Sequence, residues 1–191
     1  MENNRHNHNA FKIEKAAPTD APAIAEVSRQ ALQATYPNEE YGVTADDIRE
    51  RTEGVDGVLI EQKIEEWRAM IESSGESHEV FVARVDNEVV GFISPRIGKN
   101  ERRRLGAIYV SPEAQGNGYG AALLLSALEW HDSNSDIYLH VVVYNQHAIN
   151  FYERFGFAQT GQSVRDRISI AQGFPELPLI EMVLKRANDQ V

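Results

Sequence analysis

Alternation of apolar and polar positions opens the ordered part of the chain. Phe11–Ala16 (FKIEKA) changes character at every second residue, the period of a half-buried strand. Thr19 or Asp20 then offers a helix cap, with Pro22 in the first turn. Ile24, Val27, Ala31 and Leu32 lay an apolar stripe along that helix, and Pro37 ends the region. Asn38–Gly57 is polar and acid-rich with no clear period, after which Val58–Ser73 returns to helical spacing through Leu59, Ile60, Ile64, Trp67 and Ile71. Three consecutive strands follow at His78–Val85, Glu88–Ile97 and Arg102–Val110, the first two joined by a tight turn at Asp86-Asn87. Ala121–His131, rich in Ala and Leu, predicts a helix, and the nearly continuous apolar and β-branched run Asp136–Tyr144 predicts a buried central strand. Gln146–Phe155 predicts a helix closed by Gly156. Phe157–Arg167 and Leu177–Arg186 predict the last two strands, the latter with Ile180, Met182 and Leu184 on one face. Together these elements predict a mixed α/β (α+β) fold of about seven strands and about four main helices.

Composition narrows the class. The 191 residues predict one domain, spanning 11–187, behind a polar tail at Met1–Ala10 that reads as disordered. His6 and His8 lie on that tail, so no metal site is expected. The absence of cysteine excludes a disulfide scaffold, thiolate zinc sites, iron–sulfur clusters and a cysteine nucleophile. No run approaches the roughly 18 apolar residues that span a bilayer. The first ten residues lack the apolar stretch of a signal peptide, which predicts a cytoplasmic protein. With 19 Lys plus Arg against 29 Asp plus Glu, the net charge of −10 argues against nucleic acid and against an anionic membrane surface as partners.

The densest chemistry lies in Ile108–Ala122 (IYVSPEAQGNGYGAA), where a strand ends and Gln115-Gly116-Asn117-Gly118-Tyr119-Gly120 leads into a helix. Glycines let backbone N–H groups approach an anion, and a helix N-terminus adds unpartnered N–H groups and a positive dipole end. That combination makes a pyrophosphate cradle without a lysine. A Walker loop is excluded, because no GxxxxGK[ST] string exists. A dinucleotide fingerprint is disfavoured, because these glycines follow a third consecutive strand rather than the first. A purely geometric glycine turn and a nucleotide site remain as alternatives at this level.

Gln115-x-x-Gly118-x-Gly120 after Tyr109-Val110-x-Pro112 resembles the acetyl-CoA pyrophosphate motif of the GNAT superfamily of acetyltransferases. A second block, Asn145-x-x-Ala148-x-x-Phe151-Tyr152-Glu153-Arg154-Phe155-Gly156-Phe157, resembles that superfamily's other core motif, in the right order and separation. The resemblance covers nearly the whole chain. It implies a mostly antiparallel sheet splayed between its fourth and fifth strands, with the pantetheine arm lying in the wedge beside backbone groups of Ile108, Tyr109 and Val110. Gln115, Gly116, Asn117, Gly118, Tyr119 and Gly120 would hold the pyrophosphate, and Ala121 would begin the helix beneath it. Asn145 would hydrogen-bond the pantetheine or cap its helix, and Ala148 would leave room for the cofactor to pass. The implied reaction moves an acetyl group from acetyl-CoA to a primary amine by direct attack in a ternary complex. Tyr152 would be the general acid that meets the leaving sulfur. The rival is a non-catalytic acyl-CoA-binding sensor of the same fold.

The general base is not legible. Tyr36, Glu39, His78, Glu79 and His140 are its candidates, and Arg102–Arg104 reads as a solvated strand end. The resemblance places Tyr36–Glu66 on the acceptor side, where Glu39, Glu40, Asp46, Asp47, Glu50, Glu53, Asp56, Glu61, Glu65 and Glu66 outnumber Arg49, Arg51 and Lys63. Such an acidic wall would attract a polyamine, an amino sugar or a basic peptide amine, and the stretch resembles polyamine acetyltransferases of the PaiA type. The alternative is a solvated acidic face. Many members of the superfamily dimerise, so a homodimer is the further partner the resemblance allows.

Overall fold

The computed structural model describes residues 11–54, 57–131, 135–166 and 174–186. The expected tail Met1–Ala10, with His6 and His8, lies outside the described residues, as do Arg167 and residue 187. The alternating segments become strands β1 (Phe11–Lys15), β2 (Phe81–Val85), β3 (Glu88–Ile97), β4 (Arg103–Val110), β5 (Ile137–Val142), β6 (Ala158–Val164) and β7 (Leu179–Leu184). They form one seven-stranded sheet in the order β1-β2-β3-β4-β5-β7-β6. Every neighbouring pair is antiparallel except β4 and β5. Asp86 and Asn87 both take left-handed φ values (49° and 70°), which gives the β2–β3 turn the twist a two-residue hairpin needs.

The helices are α1 (Ala21–Thr35), α2 (Ala45–Glu53), α3 (Val58–Glu72), α4 (Tyr119–His131) and α5 (Gln146–Arg154). Helices α1 and α3 bury Ala21, Ile24, Val27 and Ile71 against Val80, Val82 and Phe92 on one face of the sheet. On the other face α4 and α5 bury Leu123, Leu124, Ala127, Ile149 and Tyr152 against Ile93, Leu105, Ile137 and Met182. Asp20 precedes α1, but its carboxylate accepts from the Ala17 N–H at 2.9 Å and from Arg84, rather than capping the helix.

Helix α2 lies in the segment that has no apolar period. Its signal is a capping box: Thr44 Oγ1 accepts from the Asp47 N–H at 3.1 Å while Asp47 Oδ2 accepts from the Thr44 N–H at 2.8 Å. Ile48, buried with Val43, Val142 and Leu177 in a third small cluster, ties α2 to the end of β5.

Candidate active site

Strands β4 and β5 pair only at Arg103↔Ile137 and Arg104↔Tyr138, then part. From Leu105 to Val110 the β5-facing side of β4 meets no strand among the described residues, which is the splay between fourth and fifth strands that the resemblance implies. Ile108, Tyr109 and Val110 pair on their other side with Ile93, Phe92 and Gly91 of β3. Ile108 and Val110 pack toward the α4 face, while Tyr109 packs toward the α1 face.

The glycine turn joins the open end of this wedge to α4. Gly116 and Gly118 take φ values of +82° and +86°, and a Cβ on either would meet nothing within 4 Å, so backbone conformation rather than crowding selects glycine here. Among the described residues none of the N–H groups from Gly116 to Ala121 donates to a backbone carbonyl; the first such bond of the helix runs from Ala122 to Gly118 at 3.1 Å. Helix α4 begins at Tyr119, two residues before the expected start at Ala121. The Gln115 side chain turns back to donate to the Val110 carbonyl at 3.3 Å, and Asn117 Nδ2 donates to the Ala114 carbonyl at 3.1 Å. The Tyr119 ring packs edge-on against Phe11 with centroids 4.9 Å apart, so what this residue offers the turn is its backbone.

Asn145 accepts from the Ala148 N–H at 3.0 Å, which makes it the N-cap of α5 and leaves its amide nitrogen free of that bond. One turn later Tyr152 is buried, 6% exposed, and packs edge-on against Phe151 and Phe157. Burial drives its hydroxyl pKa well above the ordinary phenol value, and Tyr36 adds to the shift.

On the α1 face of the wedge lies a cavity of about 410 Å³, walled by α1, α2, α3, β4 and the segment leading into β7. Tyr36 and Tyr109 lie deep in it with hydroxyls 3.1 Å apart, and the Tyr36 carbonyl accepts from Tyr144 at 2.7 Å. Burial raises the pKa of both Tyr36 and Tyr109, so both hydroxyls stay protonated. Of the five base candidates, Tyr36 and His140 line the cavity, and Glu39, His78 and Glu79 do not. Glu79 instead pairs with Lys15 at 2.6 Å, and His78 lies 3.0 Å from the Met70 carbonyl. Burial and then the adjacent Arg104 lower the pKa of His140, against the opposing pull of Glu181, whose carboxylate lies 3.6 Å away.

Arg102–Arg104 is not a solvated strand end. Arg102 donates to the buried Glu181 at 2.6 Å and stacks 3.9 Å over the Tyr138 ring, Arg104 meets His140 at 3.3 Å, and Arg103 is half-buried. The acidic wall is not present as a charged lining either. Asp56 lies outside the described residues; of the other nine acids on that segment, Glu66 alone lines the cavity, and it pairs with Lys63 at 2.8 Å. Glu39, Glu40, Asp46 and Glu50 are exposed outside it, and Asp47, half-buried, is held in the Thr44 capping box. Sequence reasoning missed the Arg51–Asp166 ion pair (3.3 Å) and the apolar contribution of Leu177 and Leu179 to the wall. No local signal links residues 115 positions apart.

The model of the acetyltransferase (GNAT) family matches residues 35–157. The chain belongs to that family. An N-alpha-acetyltransferase of Sulfurisphaera tokodaii is 28% identical over 163 residues, covering 78% of this chain and 81% of the relative. A crystal structure of PaiA N-acetyltransferase from Thermoplasma acidophilum, in complex with coenzyme A, superposes with a TM-score of 0.61 at 22% identity, covering 93% of this chain and 99% of that one. The ribosomal-protein-S18-alanine N-acetyltransferase of Escherichia coli gives a TM-score of 0.60 at 18% identity over 95% and 99% of the two chains. At these identities the two structures establish the GNAT fold alone. As a GNAT acetyltransferase the protein uses acetyl-CoA as its acyl donor. Among the described residues no helix is long and apolar enough to cross a membrane.

Proposed function

We propose that this protein transfers an acetyl group from acetyl-CoA to a primary amine of a small molecule or a peptide, seated in the cavity between α1, α3 and the β4–β5 wedge. The observation that carries this reading is the run of unbonded N–H groups from Gly116 to Ala121 opening onto splayed strands. A diphosphate fits that turn: it offers hydrogen-bond donors, a helix dipole end and open space over both left-handed glycines. Gln115–Ala121 would hold the diphosphate, and the β5-facing edge of Ile108, Tyr109 and Val110 would hold the pantetheine amides. Asn145 Nδ2, left over from the cap, would join them, with Ala148 small enough to let the arm pass.

When bound, acetyl-CoA supplies a thioester whose carbonyl carbon the amine attacks. This chain's own residues handle the protons. An alkylamine has a pKa near 10.4, so about one molecule in a few thousand is neutral at pH 7. His140, kept neutral by burial and by Arg104, is the imidazole on the cavity wall; Arg104 donates to its Nε2 at 3.3 Å, so it would take up the amine's proton there only as that bond is released. Tyr152 keeps its proton at Oη throughout the neutral range, because a buried phenolate would be costly, and so remains a hydrogen-bond donor where negative charge develops on departure of the thiol.

Tyr152→Phe preserves the ring and its contacts with Phe151 and Phe157. It is expected to lower kcat by about 10²-fold while leaving acetyl-CoA affinity, measured by calorimetry, within about twofold. Unchanged turnover would remove Tyr152 from the chemistry.

A further inference from the structure

Among the described residues every carboxylate on the cavity wall is ion-paired. Glu26 pairs with Arg29 at 2.6 Å, Lys63 with Glu66 at 2.8 Å, and Arg51 with Asp166 at 3.3 Å, while Glu53, behind the wall, shares Arg29 at 2.7 Å. The first two pairs sit at the rim, where the side chains are between a quarter and a half exposed, whereas Asp166 is 7% exposed and lies deep. The rest of the lining is largely apolar: Leu32, Ile60, Trp67, Leu177 and Leu179 contribute side chains, with the half-exposed Met70 beside them. A second ammonium entering this space would lose its hydration without gaining an unpaired carboxylate among the described residues, and an uncompensated buried charge is strongly unfavourable. An apolar substituent would instead bury its surface against those side chains. The protein's net charge of −10 does not alter this, because among the described acids only Glu26, Glu66 and Asp166 line the cavity.

On the reading that this cavity receives the acceptor, we infer that the substrate is a monoamine whose amine sits next to an apolar aliphatic or aromatic substituent, rather than a polyamine. An arylalkylamine and a peptide with an apolar first residue share that chemistry. The full chain is assayed by thiol release from acetyl-CoA with phenethylamine, a leucine-initiated tripeptide amide, ethanolamine and spermidine. One or both of the first two are expected to exceed ethanolamine and spermidine in kcat/KM by about tenfold or more. Spermidine or ethanolamine matching them overturns the inference. A second arm is independent of turnover. In a Trp130→Phe background, quenching of Trp67, which lines the cavity, is titrated with phenethylamine and with spermidine. Half-quenching at a lower concentration of phenethylamine supports the inference, and an equal or reversed order overturns it. If no amine is acetylated while that order holds, the proposed activity fails and the specificity of the cavity stands. Ile60→Glu adds an unpaired carboxylate to the wall and is expected to move the phenethylamine-to-spermidine ratio about tenfold toward spermidine; a ratio left unchanged places the acceptor elsewhere and overturns the inference.

Discussion

His131 closes α4, 2% exposed, with Nε2 at 3.2 Å from the Arg104 carbonyl and Nδ1 without a hydrogen-bond partner among the described residues. Burial pushes its pKa down to about 4, against the Arg104 hydrogen bond; Arg103 and Arg186 lower it further. The folded state therefore refuses a proton that the unfolded chain accepts at the ordinary imidazole value of about 6.5. The stabilisation is complete above that value and is lost as pH falls toward the folded value. Between pH 7 and about 4.5 this single group removes about 2–3 kcal/mol. Urea unfolding of the wild type and of His131→Gln, which keeps a donor for the Arg104 carbonyl, should diverge by that amount over this interval. Parallel pH profiles would show that the imidazole is charged or solvated in the folded protein. None of this is visible in the string of residues, where His131 ends a helix like any surface residue. Tyr152 differs: the resemblance of the second block to the GNAT core motif is what points to it, and burial raises its pKa so that the hydroxyl keeps its proton.

Strand β4 carries its function through an irregularity. Ile93 pairs with Ile108 but Pro95 pairs with Leu105, so β4 spends one more residue than β3 over this span and bulges at Gly106-Ala107, on the cavity wall. The Ala107 N–H is satisfied by Ser94 Oγ at 3.0 Å, and a Cβ on Gly106 would stand 2.6 Å from both the Ser94 carbonyl oxygen and Oγ. The hydroxyl can rotate away, but the carbonyl belongs to a paired strand. Gly106→Ala should therefore cost about 1–3 kcal/mol, a drop of about 2–10 °C in Tm for a chain of this size, with a loss of turnover larger than the thermal shift alone explains. A melting point within about 1 °C of the wild type would mean that the bulge is pliable. At this scale the sequence is readable wherever one element signals itself. Alternation marks β1, β-branched runs mark β5, and Gly156 marks the end of α5. Helix α2 is hidden because it buries only Ile48 and Thr52 and announces itself by the Thr44–Asp47 box instead of by a stripe. The placement of β7 between β5 and β6 is also hidden, since pairing between distant strands leaves no local mark.

Over the whole molecule, charge works through placement rather than total. A chain at −10 binds an acyl donor that is itself a polyanion, and Ser111–Ala121 contains no Lys or Arg, only Glu113. On the proposed reading, the grip on the diphosphate comes from fixed N–H dipoles at the start of α4, which act at hydrogen-bond range, while the protein's long-range field opposes approach. Salt screens the second far more than the first, because the Debye length falls from about 20 Å to about 7 Å between roughly 20 and 200 mM. The acetyl-CoA dissociation constant should accordingly stay level or tighten as sodium chloride rises over that range, contrary to sites built from lysine and arginine. A weakening of about tenfold or more over the same range would mean that cationic side chains supply the grip and that the backbone turn is only their frame. The excess acid that suggests a polycation substrate is likewise a matter of placement: Glu39, Glu40, Asp46 and Glu50 are exposed, and the described carboxylates on the cavity wall are ion-paired. Counting residues along a segment gives their sum, and the fold decides which of them a substrate meets.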